Sequence, residues 1–174
     1  MKTIKLAAWS CVFLLLCCWS ATAAEDLNEA DTPWRERSFL VIASTSDYET
    51  ALKMAESAAL KLAIKLDLRG LKPFQNSETK KPDLSFSKEE CKENGWDMPC
   101  YVPRGRYDTD ENVGRFVSIE LTNGYKGLAP GYFFVVAGIA TPGDLELKDL
   151  LAKTKTHFPD AYIKTGQVFV GCLH

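Results

Sequence analysis

Two apolar stretches of the chain nearly repeat each other, and this repetition constrains the fold more than any other feature. The letters FLVIAS stand at 39–44, and FFVVAG stands at 133–138. Both stretches are apolar at successive positions, which is typical of a strand that is buried on both faces. Each is followed by a short polar turn and a run with helical periodicity. The repetition therefore predicts two similar β-α units that each bring a central strand and a helix to one core.

In the first unit, we expect a strand at 38–44 and a helix that starts near Ser46. Ser46 and Glu49 have the spacing of a capping box, in which each side chain bonds to the backbone amide of the other residue. Small and apolar residues then recur at helical spacing as far as Leu66. We expect the helix to end at Gly70, because glycine readily adopts the left-handed conformation that closes a helix.

The second unit starts with the letters RFVSIEL at 115–121, where apolar and polar residues alternate as in a half-buried strand. The repeated strand follows at 132–138. A threonine and a proline at 141–142 are typical of a helix start. After that helix, the pattern predicts two short closing strands with a turn between them at 165–166.

This order of elements predicts an α+β fold of the β-α-β-β-α-β type, a ferredoxin-like sandwich. Such chains form an antiparallel sheet with two helices on one face. The opposite face would then be open. We expect a single domain over 38–174, with a long insertion at about 75–112 that is rich in turn-forming residues.

The beginning of the chain has the pattern of a signal peptide, which we place at 1–24. Two lysines precede an apolar run, and the small residues of SATAAE follow it. A lipid anchor on Cys17 or Cys18 is the alternative. Residues 25–37 are polar and are expected to form a partly ordered leader. These features predict a periplasmic or secreted protein with no membrane span.

The charge of the expected mature chain argues against some partners. The sequence has 21 basic and 23 acidic side chains. Loss of Lys2 and Lys5 with the signal peptide leaves 19 against 23, a net charge of −4. A chain of that charge is a poor non-specific partner for nucleic acid or for an anionic membrane.

Three cysteines remain in the expected mature chain, and an oxidising compartment favours a disulfide between two of them. Cys91 and Cys100 are close in sequence and lie in a segment rich in turns, so we expect this pair to be bonded. Cys172 would then be a buried free thiol. The cysteine spacing and the two histidines fit no metal site, and we expect neither metal nor cofactor.

The order of elements and the letters FPDAYIK at 158–164 resemble the SPOR domain, a bacterial module that binds peptidoglycan. The resemblance covers about 38–74 and 115–166. It implies an exported, non-catalytic protein that binds glycan strands stripped of their peptides, through the open face of the sheet. The insertion is foreign to that family. It favours the alternative of an envelope module that binds a protein, such as an inhibitor, an immunity protein or an accessory subunit.

Five residues are the candidates for the open face. The alternation in 115–121 puts the odd-numbered Val117, Ile119 and Leu121 on the side opposite to the even-numbered positions. If Ile163 is buried as well, its neighbours join the open side. Aromatic rings beside hydrogen-bonding groups suit a sugar ring. The candidates on this face are Phe116, Ser118, Glu120, Tyr162 and Lys164.

A second candidate group lies in the insertion, where Arg104, Arg106 and Tyr107 stand close together. Arginines of this kind can bind a carboxylate through two hydrogen bonds or stack on a ring. The alternative is that they pair with Asp108, Asp110 or Glu120 and hold the insertion down. The sequence contains no catalytic serine motif, histidine-rich metal set or phosphate loop, so we expect no catalytic residues and no enzyme.

Overall fold

We describe the fold from a computed structural model of the protein, over residues 32–75, 82–109 and 111–172. The expected signal peptide and most of the leader lie outside the described residues. No helix of the described part is long and apolar enough to cross a membrane. The helices are α1 (Tyr48–Leu62), α2 (Lys88–Glu93) and α3 (Leu145–Lys155). The strands are β1 (Trp34–Thr45), β2 (Lys72–Gln75), β3 (Pro82–Ser85), β4 (Ser118–Leu121), β5 (Tyr125–Lys126), β6 (Phe133–Ala140) and β7 (Tyr162–Phe169).

Five of the strands form one antiparallel sheet in the order β4-β6-β1-β7-β5. The two repeated strands, β1 and β6, are neighbours, with Phe39 opposite Ile139. They lie inside the sheet, and their apolar stretches are buried over 37–42 in β1 and over 133–139 in β6, as expected from the apolar sequence. The other two strands, β2 and β3, form a separate hairpin in the insertion. The α+β class and the antiparallel sheet are therefore confirmed.

The sheet is curled. In a flat sheet, β4 and β5 would lie four strand spacings apart, about 19 Å. Yet a helical turn of only three residues, Thr122–Gly124, joins them. The Tyr125 hydroxyl lies 3.0 Å from the Glu120 carboxylate, and the Tyr125 ring centroid lies 5.5 Å from that of Phe134. The face that carries these side chains is therefore the inside of the curl, which we call the concave face.

Helices α1 and α3 pack on the convex face of this sheet. Ala51, Ala55 and Ala58 of α1 are fully buried, and their small size lets the helix approach the strands closely. Leu147 and Leu150 of α3 belong to the same apolar core. That core also contains Val117, Ile119 and Leu121, as the alternation predicted. A second core fills the curl and contains Phe39, Val41, Phe116, Tyr125, Phe134, Val136, Ile139 and Val168.

Both long helices begin at a different cap from the one expected. Asp47, not Ser46, caps α1, and its carboxylate accepts the amide of Thr50 at 2.8 Å. Asp144 caps α3 in the same way, three residues after the expected threonine. An aspartate carboxylate is at least as good a cap as a hydroxyl, and its charge also suits the positive end of the helix dipole.

The first helix also ends earlier than expected, at Leu62 rather than near Gly70. Ala63 takes the left-handed conformation, with φ 53°. The chain then becomes extended, and the amide of Val117 donates to Lys65 O while the amide of Asp67 donates to Val117 O, both at 2.8 Å. These bonds satisfy backbone groups at the outer edge of the sheet. The helix therefore ends early, because pairing with the sheet outweighs the helical preference of residues 63–66.

Two strand boundaries also differ from the expectation. The first strand begins at Trp34, so part of the expected leader belongs to the sheet. The last strand, β7, runs without a turn from Tyr162 to Phe169. Both differences have one cause, because β1 pairs along the whole of β7, from Trp34 opposite Phe169 to Val41 opposite Tyr162. Continuous pairing leaves no room for a turn at 165–166.

The insertion contains the β2–β3 hairpin, α2 and the expected disulfide. Cys91 and Cys100 are bonded, with their Cα atoms 5.9 Å apart, which confirms the predicted pair. Cys172 forms no disulfide with a described residue. It is exposed, so the expectation that this thiol is buried was wrong. The closing residues of β7 leave it outside the core, because the sheet ends at Phe169.

Candidate functional site

The structure buries three of the five residues expected on an open face. Phe116 is 4% exposed, and Ser118 and Glu120 are fully buried. The expectation that these three line an uncovered face was wrong. The sheet curls around them, and the insertion covers this part of the concave face. They therefore present no surface to a ligand from solution.

The Glu120 carboxylate is the centre of a buried polar network. It accepts hydrogen bonds from Arg69 Nη2 at 2.9 and 3.0 Å and from the Ser118 hydroxyl at 2.7 Å. The hydroxyls of Tyr101 and Tyr125 donate to it at 2.7 and 3.0 Å. A buried carboxylate is stable only when charges and donors of this kind surround it. Tyr101 belongs to the insertion, so the network fastens the insertion to β4.

Arg104 adds a second charged link between the insertion and the rest of the fold. Its guanidinium is fully buried and lies 2.8 Å from the Asp67 carboxylate. Its Nε atom lies 3.4 Å from Glu120 Oε1, close enough for an ion pair but not aligned as a hydrogen bond. The guanidinium also lies over the Phe116 ring, 4.1 Å from its centroid. Arg104 is therefore an internal partner of two acids, of which the alternative interpretation named Glu120 but not Asp67.

The pKa shifts agree with this internal role. Burial raises the pKa values of Tyr101 and Tyr125 well above that of a free tyrosine, and the nearby Glu120 carboxylate adds to this rise. Both hydroxyls therefore stay protonated and remain donors. Burial is the largest single influence on the pKa of Arg69 and would lower it, but Glu120, Tyr101 and Tyr125 together outweigh burial and the pKa is raised. Burial is the largest single influence on the pKa of Asp67 and would raise it, but Arg104, the Arg69 amide and Lys65 together lower it overall.

Arg37 forms a third link, although it is not among the candidates from the sequence. It is almost fully buried and donates from Nη2 to Asp108 Oδ1 at 2.5 Å and from Nε to Gly105 O at 2.7 Å. Burial lowers its pKa, while Asp108 opposes that shift. Gly105 has φ +85°, and a Cβ atom there would lie 3.0 Å from Arg37 Cγ. The glycine between the two insertion arginines is therefore required by backbone conformation and by space.

Arg106 and Tyr107 lie at the end of the concave face that the insertion covers. Arg106 is buried and donates from Nη2 to Gly171 O at 2.7 Å. Its guanidinium lies 5.7 Å from the centroid of the Tyr107 ring. Tyr107 itself is 55% exposed. Of the three candidates in the insertion, only Tyr107 thus presents a large surface to solvent.

The other end of the concave face remains accessible as a cavity of about 350 Å³, which we call the mouth. Its floor consists of Phe39, Val41 and Phe134, which belong to the core inside the curl. Ligand sites commonly form at the open ends of curled and closed sheets, where an apolar floor meets polar residues at the rim. The mouth is therefore the candidate functional site.

The rim of the mouth carries the two remaining candidates from the sequence. Tyr162 is 46% exposed, and Lys164 is exposed beside it on β7. Tyr132, which is not among the candidates from the sequence, also lines the cavity and is 44% exposed. Ile163, between the two candidates, packs toward the helices, as the placement of Tyr162 and Lys164 required.

The chemistry of the mouth suits a small amphipathic ligand. Two tyrosine rings offer apolar faces and hydroxyls, and Ser44 and Thr122 add further hydroxyls. Of the described residues that line the mouth, one is a cation and none is an acid. The described residues contain no cluster of three or more acidic, cysteine or histidine side chains that could hold a metal ion. The arrangement can bind an uncharged or anionic ring.

Comparison with known proteins adds no relative: no protein-family profile, curated protein or solved structure matches this chain.

Proposed function

We propose that this protein is an exported, non-catalytic module that binds the glycan strands of peptidoglycan at the mouth of its curled sheet. One observation carries the proposal. Tyr132 and Tyr162 keep nearly half of their surface exposed, both above an apolar floor. Exposed tyrosines over such a floor suit the apolar face of a sugar ring.

The cation at the rim supports the same ligand class. Lys164 has no acidic neighbour among the residues that line the mouth. An amidase that removes stem peptides leaves a free carboxylate on each muramic acid. A lysine at the rim suits that group, whereas intact stem peptides would add bulk at a cavity of limited size. We therefore expect the stripped glycan to be the preferred form.

The proposal includes the finer description of the fold as a ferredoxin-like and SPOR-like arrangement. Its support is the strand order β4-β6-β1-β7 with all neighbours antiparallel, and the position of α1 and α3 in one apolar core. The short strand β5 and the insertion would be additions to that arrangement. They restrict the ligand surface to the mouth rather than the whole face.

Sedimentation of the purified protein with isolated sacculi tests this function. Binding should rise after amidase treatment of the sacculi. Tyr162→Ala should weaken binding about three- to tenfold, the loss expected for one aromatic stacking contact. The matched control is Tyr107→Ala, which removes an equally exposed tyrosine outside the mouth. No binding to either form of sacculi, or an equal loss in both variants, would contradict the proposal.

A second candidate function is an envelope module that binds a protein. The specific observation in its favour is the insertion, which covers one end of the concave face and exposes Met98 and Tyr107. The disulfide between Cys91 and Cys100 also supports this candidate, because it stiffens the loop that carries Met98. If sacculi do not bind, capture of a defined envelope protein that is lost in Met98→Ala would favour this candidate.

A further inference from the structure

The outer edge of β7 is only partly paired. The strand β5 is two residues long and pairs with Val168 and Gln167 alone. No other described strand pairs with the outer side of β7, so the edge along 162–165 is open. At the opposite edge of the sheet, the segment 65–67 pairs with Val117. An open edge of this kind offers unpaired backbone groups to another chain.

The register of the sheet identifies those groups. Val170 N donates to Pro33 O of the neighbouring strand at 2.7 Å. In an antiparallel pair, every second residue bonds to the same neighbour, so Lys164 and Tyr162 also direct their backbone groups toward β1. Ile163 and Thr165 therefore direct both the N–H and the C=O outward.

The side chains near this edge indicate the chemistry of a strand that could join it. Tyr162 and Lys164 point to the concave side, so the mouth lies directly beside the open edge. Lys164 and Lys126 are exposed at the end near β5, whereas Asp160 is exposed just before the strand begins. A lysine on an edge strand disfavours pairing with another basic strand, and it favours a strand with an acid opposite to it.

We propose that the open edge of β7 binds an extended, acidic segment of a partner protein by β-strand addition. The outward groups of Ile163 and Thr165 would supply the main-chain hydrogen bonds. A carboxylate of the segment would pair with Lys164, and an apolar side chain two residues away would enter the mouth. Main-chain bonds give affinity in this mode of recognition, and pockets for alternate side chains give specificity. The inference does not depend on the glycan proposal.

Amide hydrogen exchange of the full exported chain tests the inference directly. The probe is the synthetic peptide acetyl-Thr-Val-Thr-Glu-Thr-Val-Thr-amide, in which valine, glutamate and valine share one side of an extended strand. Its matched control has lysine in place of glutamate. The acidic peptide should slow exchange at the amides of Ile163 and Thr165, and the basic peptide should do so less. No slowing at these two amides, or equal slowing with both peptides, would overturn the inference.

Variants separate the backbone contact from the side-chain contacts. Thr165→Pro removes one outward N–H and should weaken peptide binding about two- to tenfold, the effect of one hydrogen bond. Proline is tolerated at an edge position whose N–H points outward. Thr165→Val keeps the N–H and should bind as the wild type does; a loss equal to that of the proline variant would contradict the inference.

Two further outcomes are informative. Lys164→Glu should reverse the preference in favour of the basic peptide, and this readout remains available if the proline variant does not fold. If exchange at Ile163 and Thr165 instead slows with protein concentration alone, the occupant is a second copy of this chain and the proposed partner is wrong. Binding to sacculi should survive Thr165→Pro, so the two proposals can fail separately.

Discussion

Replacement of Glu120 by alanine tests whether the buried network holds the insertion on the sheet. The carboxylate is fully buried and is bonded by Arg69, Ser118, Tyr101 and Tyr125. Its removal leaves the mostly buried guanidinium of Arg69 without its acidic partner and two tyrosine hydroxyls without an acceptor. Loss of one partner from a buried ion pair costs about 3–5 kcal/mol. For a domain of this size, that corresponds to a fall in Tm of about 10–15 °C.

The assay is thermal and urea unfolding of the variant, with a matched surface pair as the control. Glu146 lies 3.0 Å from Arg115, almost the same distance as that between Glu120 and Arg69, but both partners are more than half exposed. Glu146→Ala should therefore cost less than about 1 kcal/mol. The reasoning is refuted if Glu120→Ala loses no more stability than Glu146→Ala.

Three more predictions concern the same region. Gly105→Ala should destabilise the fold by about 1–2 kcal/mol in thermal unfolding, because an alanine at positive φ is strained and its Cβ would crowd Arg37; an unchanged Tm would contradict this. Loss of the disulfide in Cys91→Ser/Cys100→Ser should cost about 2–3 kcal/mol in urea unfolding, and an unaltered midpoint would show that the bond does not restrain the insertion. The lowered pKa of Asp67 contributes stability that is present above its unfolded pKa of about 3.9 and is lost as the pH falls through the lower folded value. Asp67→Asn should therefore flatten the dependence of Tm on pH in that acidic range, and a dependence as steep as in the wild type would refute this.

The sequence predicted the parts of the fold that depend on local pattern. Continuous apolar letters at 39–44 and 133–138 identified the two central strands. Strict alternation over 116–121 separated the residues of the convex core from those of the concave face. The disulfide between Cys91 and Cys100 could be predicted because the two residues are close in sequence and lie among turns.

The curl could not be predicted, because it depends on contacts between distant strands. Alternation shows that Ser118 and Glu120 share a side, but it does not show whether that side is covered. Only the contact between Tyr125 and Glu120 inside the curl shows that this side of β4 is covered. Arg37 was missed for a similar reason. It lies in a charged run that is typical of a surface leader, and its acidic partner Asp108 is 71 residues away.

The candidate site was predicted in part. Tyr162 and Lys164 were placed on the ligand-facing side because Ile163 would be buried, and the structure has them at the rim of the mouth. Tyr132 joins them through the return of the chain from β5 to β6, which no periodic pattern indicates. A tyrosine beside a glycine-proline turn was the only signal, and it is equally typical of edge packing.

Chemical-shift mapping of the isotope-labelled protein with soluble, peptide-free glycan fragments tests the central claim most directly. If the mouth is the binding site, the perturbed amides should cluster around Tyr132, Tyr162 and Lys164 at the open end of the curl. The amide of Tyr107, at the opposite end, should not move. Perturbations that centre on Tyr107, or no perturbation at glycan concentrations that saturate a millimolar site, would contradict the account.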